Sequence, residues 1–173
     1  MEHTRRISEE VLYTTLAEPT TGSEELIALA RASRETKRGR LRLCLHPDID
    51  NPLHEMIIVH PRQAYVPPHK HHGQSESILV LQGRVDLVVF DDQGAVTRVV
   101  PMGSPESGQI FHHRLEVPKF HTLLIHSEEL VFMEVRTGPY LPEHTEYASW
   151  APASEQSELV ADYLGHLFSN HGT

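Results

Sequence analysis

The chain offers little that could stabilise a fold covalently or anchor it in a membrane. Cys44 is its only cysteine, so no disulfide can form within the chain. No apolar run approaches the roughly 20 residues that a membrane-spanning helix needs, and the first ten residues lack the apolar core of a signal peptide. These absences predict a soluble protein of a reducing cytoplasm with no membrane partner.

Basic residues are also in short supply. The 15 lysines and arginines are outnumbered by 24 acidic residues, which gives a formal net charge of −9. Nucleic acids and anionic membranes are bound by basic surfaces, so this composition argues against both partners. Histidine, in contrast, is abundant: 14 are scattered from His3 to His171, so they are not a purification tag.

Helical patterns are predicted near both termini. Residues 23–38 have an acidic first turn, basic residues towards the end, an N-cap at Ser23 and Gly39 as the stop. A weaker pattern over residues 8–16 extends this prediction to a helical arm, residues 1–40, packed on the rest of the chain.

The C-terminal part, residues 138–173, is predicted to be an irregular segment followed by a helix. The helix is expected over residues 155–168, with Ser154 as its cap and an apolar face of period 3.6.

The middle of the chain, residues 41–137, is predicted to be all-β. Short apolar segments recur roughly every ten residues between Pro, Gly and Asp, as in a sandwich or barrel. A hairpin is expected with Asp92, Gln93 and Gly94 in its turn. Several segments are apolar on both faces, so one face is expected to pack on the N-terminal helix or on a second subunit, and we predict a homodimer.

One stretch, VPPHKHHGQSESILVLQGR at residues 66–84, concentrates the possible chemistry. On a strand, His69 and His71 share a face with Cα atoms about 7 Å apart, close enough for both imidazoles to reach one ion at about 2.1 Å. Glu76 begins the next apolar segment, and His121 begins another after a proline turn. The alternative is a polar hairpin with exposed histidines.

Three imidazoles and a carboxylate predict one divalent transition metal ion. This donor set suits Fe, Mn, Ni, Co, Zn or Cu, because geometry rather than affinity selects among these metals. The sequence leaves the identity of the metal open.

The spacing of these residues resembles the first motif of the cupin superfamily: His-X-His, four residues, Glu, six residues, Gly is matched by His69, His71, Glu76 and Gly83. Its usual opening glycine is replaced by Gln63. Of the second motif only His121 is present, because the other three motif positions hold Glu116, Pro118 and Ile125.

A closer resemblance, over residues 31–153, is to the WbuC-type cupin-fold metalloproteins. It is carried by RASRETKRGRLRLCLH, DNPLHEM, FDDQGAVTRVV and GPYLPEHTEYASWAPASE. The resemblance implies a single jelly-roll β-barrel with one metal near its mouth, held by His69, His71, Glu76 and His121. It also implies a neighbourhood of surface-polysaccharide (O-antigen) sugars.

Two residues are candidates for proton transfer beside the metal. Strand alternation places His113 on the interior face if Phe111 and Leu115 lie there, and Glu134 shares a face with Phe132 and Arg136. The alternatives are a buried structural histidine and a surface ion pair of little energetic value.

Other residues carry weaker predictions. His60 and Lys119 are further candidates for contact with a ligand, Cys44 is expected to be a buried inert thiol, and Tyr140 and Trp150 are expected to cap the barrel mouth or to form a dimer contact. Arg38, Arg40 and Arg42 form a basic cluster that is expected to be a solvated face, with anion binding as the alternative. His72, His112 and His126 are out of phase with the candidate ligands and are expected to lie outside the site.

Three functions remain open from the sequence. The first is a metal-dependent enzyme with isomerase- or epimerase-like Lewis-acid chemistry on a sugar-like or other oxygenated small molecule. The second is an Fe(II) dioxygenase with the same ligands, and the third is a noncatalytic small-ligand binder.

Overall fold

The computed structural model describes residues 2–115 and 118–172, and within them the chain is mostly β, with two α-helices. The helices are α1 (Ser23–Ser33) and α2 (Ser157–His171). The strands are β1 (Thr4–Ser8), β2 (Val11–Thr14), β3 (Leu41–Cys44), β4 (Leu53–Pro61), β5 (His69–His71), β6 (Glu76–Gln82), β7 (Arg84–Phe90), β8 (Val96–Gly103), β9 (His112–Leu115), β10 (Phe120–Ile125), β11 (Glu129–Thr137) and β12 (Thr145–Tyr147).

The strands form two sheets. One has seven strands in the order β1-β2-β3-β4-β11-β6-β9, and the other has five in the order β12-β5-β10-β7-β8. Only β2 and β3 pair in parallel; the other ladders between described strands are antiparallel.

A hydrophobic core fills the space between the sheets. Ile58, Val80 and Phe132 point inward from the seven-stranded sheet, and Leu87 and Leu123 point inward from the five-stranded sheet; all are less than a tenth exposed. Alternation along each strand gives this packing, because every second side chain faces the partner sheet.

Both helices cover the outer face of a sheet. From α1, Leu26 and Leu29 pack on the seven-stranded sheet against Val59. From α2, Leu167 and Phe168 pack on the five-stranded sheet. The helices therefore account for the strands that are apolar on both faces, as the sequence predicted for the N-terminal helix.

The predicted helix over residues 8–16 is wrong. Residues Val11–Thr14 form β2, whose backbone pairs with β3. Its β-branched and aromatic side chains favour a strand, and pairing with β3 supplies hydrogen bonds that a local helical pattern cannot anticipate. The predicted helical arm thus contributes two strands to the sheet as well as α1.

The other helix boundaries shift by a few residues. The N-cap of α1 is Gly22 rather than Ser23; the Glu25 carboxylate accepts a hydrogen bond from the Gly22 N–H at 2.8 Å. The helix ends at Ser33 instead of 38. At the C-terminus, α2 begins at Ser157 with Gln156 as N-cap, so Ser154 is not the cap.

The prediction of one jelly-roll barrel is confirmed only as a mostly β, two-sheet fold. Within residues 2–115 and 118–172, no ladder of named strands closes the two sheets into a barrel. The edge strand β12 and its neighbour β5 are three residues long, and prolines at 67 and 68 lack the N–H groups that would extend β5.

The predicted hairpin is confirmed as β7–β8. Asp91 and Ala95 close it through an N–H to carbonyl bond of 2.9 Å, and Gly94 occupies the turn with φ of 89°. A Cβ at Gly94 would also lie 2.8 Å from the Trp150 ring, so glycine serves both the turn and the packing.

In the part of the chain that the structure describes, neither helix is long and apolar enough to cross a membrane.

Candidate metal centre

Three neighbouring elements bring the predicted ligands together. His69 and His71 lie on β5, two residues apart, and His69 is in register with His121 on β10 of the same sheet. Glu76 begins β6 in the opposing sheet, after the turn at residues 72–75. The site therefore joins the two sheets, with three ligands from one and the fourth from the other.

The four side chains converge on one point. One donor atom from each of His69, His71, Glu76 and His121 lies within 4.8 Å of all the others. The Glu76 Oε2 atom lies 3.0 Å from His71 Nε2 and 3.6 Å from His121 Nε2. His71, Glu76 and His121 are each less than a tenth exposed, so the donors are shielded from water.

Two of these donor atoms are buried without a hydrogen bond. Glu76 Oε2 and His121 Nε2 have no partner of suitable geometry among the described residues, although His71 Nε2 comes close to the carboxylate. Buried polar atoms without partners are rare and unfavourable. A cation at the point where the donors converge would satisfy both, so the residues present fit a bound metal ion.

The opposite nitrogens of the three imidazoles are held in place. His69 Nδ1 lies 2.9 Å from the Pro67 carbonyl oxygen, and His121 Nδ1 lies 2.9 Å from the Lys119 carbonyl oxygen. A carbonyl can only accept, so each Nδ1 carries the hydrogen, and in the neutral ring each Nε2 presents a lone pair. Outer contacts of this kind orient metal-ligating histidines.

The third imidazole has a side-chain partner. His71 Nδ1 lies 3.2 Å from the Thr145 hydroxyl on β12, the strand that pairs with β5. We expect Thr145→Val to weaken metal affinity roughly 10- to 100-fold, because it removes this outer contact while keeping the shape of the side chain. Competition with a fluorescent chelator measures the change. Thr97→Val, which alters a threonine on the distant strand β8, is the control; an unchanged affinity in Thr145→Val would contradict the role of the hydroxyl.

The electrostatics of the metal-free site favour a negative carboxylate among the imidazoles. Burial alone would raise the pKa of Glu76, but His121 and His71 lower it well below its ordinary value. Burial alone would lower the pKa of His121, but Glu76 raises it. For His69, burial and the neighbouring histidine lower the pKa to about 3, so this ring is neutral, as a metal ligand must be.

The histidines predicted to lie outside the site do so. His72, next to a ligand in sequence, is exposed and lies 2.7 Å from the Glu146 carboxylate. His112 is exposed on β9, and His126 bonds Asp86 at 2.8 Å.

Besides Glu76, the interior face of the seven-stranded sheet carries other charged residues. Arg136 is directly opposite Glu76 in register, and Glu134 is opposite Ile78, whose side chain is in the core. Burial and the negative charge of Glu76 raise the pKa of Glu134 to about 7, although Arg136 and other cations oppose the rise. Glu134 and Arg136 form no ion pair with each other, so the alternative of a surface ion pair is wrong.

A cavity of about 490 Å³ opens beside the proposed site and is lined by Glu134 and Tyr147 among others. The Tyr147 ring lies 6.1 Å from the His69 ring, which brings the cavity next to the metal ligands. His60 also lines it; burial lowers the pKa of His60 to about 3, and its buried Nδ1 has no partner among the described residues.

The remaining residues that the sequence suggested lie in different surroundings. The register places His113 opposite Ile78 on the interior side of β9, whereas Phe111 precedes the strand and is 46% exposed. Lys119 lines a narrow cleft with three of the ligands. Cys44 is buried, and burial raises the pKa of its thiol, as expected for an inert cysteine.

The two aromatic candidates, Tyr140 and Trp150, lie in different environments. Trp150 packs on Phe90 and Phe120 under α2, with ring centroids 5.0 and 5.7 Å away, so it belongs to a core and not to a barrel mouth. Tyr140 is 41% exposed, with its ring 5.6 Å from the Arg136 guanidinium carbon. Glu116, part of the atypical second motif, lies outside the described residues.

Sequence reasoning missed Thr145 and Tyr147. Both lie on β12, which reaches the site by pairing with β5 across more than 70 residues of sequence. No local pattern signals this pairing.

The chain matches a protein-family model and is distantly similar in fold to several solved structures. Residues 22–102 match a model described as a domain of unknown function (DUF6016). Comparison with curated proteins finds no match.

Several solved structures are similar to the chain. A cupin-superfamily sugar phosphate isomerase from Silicibacter pomeroyi has 19% identity over 58% of this chain and 59% of its own, with a TM-score of 0.44. CapF, a capsular polysaccharide assembling protein from Staphylococcus aureus, has 13% identity over 61% and 34%, with a TM-score of 0.48. An oxalate decarboxylase from Lactobacillus farciminis has 18% identity over 66% and 32%, with a TM-score of 0.46. The match spans less than two thirds of the length of each of these chains.

Proposed function

We propose that the protein binds one divalent transition metal ion through His69, His71, Glu76 and His121 and uses it in proton-transfer chemistry on a sugar-like or other oxygenated small molecule. The observation that carries the proposal is the convergence of four donor atoms, two of them buried without hydrogen bonds. Isomerisation or epimerisation is the reaction class that fits best.

The metal would polarise a carbonyl or hydroxyl oxygen of the substrate as a Lewis acid. Glu134 is the residue that we assign to proton transfer, because it faces the interior and lines the cavity beside the ligands. Burial raises the pKa of this carboxyl group above its ordinary value, which favours both acceptance and release of a proton near neutral pH. His113 is the second candidate, on the interior side of β9.

The test is hydrogen exchange into the substrate. Metal-loaded protein is incubated in D₂O with ribose 5-phosphate and with fructose 6-phosphate, and loss of the C1 or C2 proton signal is followed by NMR. We expect exchange in the wild type and a roughly 10²- to 10⁴-fold slower rate in Glu134→Gln. Metal content should stay the same in the variant.

Glu128→Gln removes an almost fully exposed carboxylate and serves as the matched control. An exchange rate in Glu134→Gln equal to that of the wild type would remove Glu134 from the proposal. Absence of exchange with both sugar phosphates, in protein that holds metal, would favour a noncatalytic binder of small ligands.

A second candidate is an Fe(II) dioxygenase, which the donor set of three imidazoles and one carboxylate also suits. Anaerobic loading with Fe(II), followed by measurement of oxygen uptake with the same compounds, separates the two. Substrate-dependent uptake without exchange would support the oxygenase.

The finer family placement is part of the same proposal. Membership of the WbuC-type proteins, and with it a role near surface-polysaccharide sugars, is supported by the resemblance over residues 31–153. A homodimer in the cytoplasm is likewise proposed, and sedimentation analysis of the purified protein tests the dimer.

A further inference from the structure

Two arginines on the interior face of the seven-stranded sheet have no carboxylate partner. Arg42 lies on β3 opposite Ile58, and Arg136 lies on β11 opposite Glu76. Neither forms an ion pair with any residue that the structure describes, and the Nε atom of each is buried without a hydrogen bond. Arg136 is only 7% exposed. Buried guanidinium donors are normally paired, so the buried Nε–H of each arginine is an unused donor.

The neighbouring arginines differ from these two. Arg38 is paired with the Glu10 carboxylate, and Arg40 lies 3.9 Å from the same carboxylate and donates to the Tyr65 carbonyl at 3.3 Å. The basic segment at residues 38–42 therefore does not form one anion-binding cluster, which was the alternative that its sequence left open. Of these three arginines, only Arg42 enters the interior without an ion pair to a described residue.

The two unmatched arginines line one cavity of about 250 Å³. Its wall also contains two tyrosines and two histidines. The polar and aromatic side chains that line it are therefore Arg42, Arg136, Tyr13, Tyr140, His46 and His54. The two imidazoles stack with centroids 4.1 Å apart, and burial lowers the pKa of both, which keeps them neutral near pH 7. The positive charge of the cavity thus comes from the arginines.

Among the residues that the structure describes, no carboxylate lines this cavity. Glu134 is the acidic group that both arginines influence, but it lines the larger cavity instead. Arg136 Nη1 lies 3.5 and 3.4 Å from the two nitrogens of the His71 ring, so it is not directed at either as a strong donor. The buried Nε of Arg136 has no hydrogen-bond partner among the described residues and remains available to a ligand.

We propose that this cavity binds an oxyanionic group, phosphate or carboxylate, of the substrate. Guanidinium groups match the paired oxygens of such anions and form strong charge-assisted bonds with them. At about 250 Å³ the cavity is smaller than the usual pocket for a whole ligand, so it suits a head group. Arg42 also lines the larger cavity that contains Glu134, which gives the rest of the ligand a place. This inference rests on the proposed function and specifies its substrate as an anion.

The test is calorimetric titration of the metal-loaded protein with inorganic phosphate and, separately, with malonate. We expect saturable binding that Arg42→Gln weakens roughly 10- to 100-fold. Arg42→Lys should lose part of this affinity, because it keeps the charge without the paired donors. Arg62→Gln, which removes an exposed arginine paired with Glu128, should bind as the wild type does.

The two anions distinguish the possible sources of the oxyanion. Tighter binding of phosphate assigns the site to phosphoesters, and tighter binding of malonate assigns it to carboxylic acids. Saturable binding of neither would overturn the proposal.

A metal-depleted variant separates this proposal from the metal site. Phosphate binding should persist within about threefold in His121→Ala, since the change leaves both arginines in place. Binding that disappears in His121→Ala but survives in Arg42→Gln would place the anion on the metal and overturn the cavity assignment. Failure of the wild-type protein to hold any metal after loading would remove the metal-dependent function, whereas phosphate binding by that same protein would leave this proposal standing.

A measurement on the wild type avoids dependence on folding of the variants. In protein labelled with ¹⁵N, the arginine Nε–H signals are recorded during titration with phosphate. We expect two of them to shift together, with assignment of one to Arg42 from its loss in Arg42→Lys. Titration that leaves all these signals unmoved would contradict the proposal.

Discussion

Alanine in place of His121 is expected to deprive the protein of its metal, whereas alanine in place of His72 is expected to have no effect. His121 contributes a buried Nε2 that has no other partner among the described residues. Loss of an outer contact of a ligating histidine typically weakens binding about 10- to 100-fold, and loss of the ligand itself should exceed this. His71→Ala is expected to behave like His121→Ala.

The measurement is metal content by mass spectrometry of protein purified without a nickel column and then dialysed. The wild type should retain close to one ion per chain, and His121→Ala should retain less than about a tenth of that. His72→Ala is a matched control, because its imidazole is adjacent in sequence to a ligand but exposed and bonded to Glu146. Equal loss from His72→Ala would show that the ligand assignment on β5 is wrong.

Removal of the metal is expected to lower the thermal stability of the wild type substantially. The ligands come from both sheets, so an ion at this point cross-links β5 and β10 to β6. A ligand that binds only the native state at 100 times its Kd stabilises by about 2.7 kcal/mol. With about 2–4 °C per kcal/mol for a domain of this size, the midpoint should fall by roughly 5–11 °C.

Calorimetry before and after treatment with a chelator measures this change, and re-addition of metal should restore the midpoint. The chelator should leave the midpoint of His121→Ala nearly unchanged, because that variant has no ion to lose. An identical midpoint for chelated and metal-loaded wild type would indicate that the ion does not contribute to joining the sheets.

The residues of the candidate metal site were predictable because their geometry is largely local. His69 and His71 share a face through strand alternation, and the same alternation excludes His72. Glu76 follows after one turn. His121 is distant in sequence, but it begins an apolar strand after a proline turn, and this position made it the candidate for the fourth ligand.

The anion cavity was not predictable in the same way. Arg136 was predicted to share a face with Glu134, but its lack of a carboxylate partner became visible only when the neighbouring strands were in place. The sequence grouped Arg42 with Arg38 and Arg40, whereas the fold directs Arg38 and Arg40 to Glu10.

By itself, therefore, the sequence determined the β-rich class, the hairpin at Gly94 and the set of candidate metal ligands, because each depends on residue type and on periodicity along one or two strands. Only the tertiary structure decided that residues 11–14 form a strand, that Thr145 supports His71, and that Arg42 and Arg136 line one cavity. These features depend on which strands pair. Pairing is determined by burial of whole faces over long sequence separations, and no short window of sequence contains it.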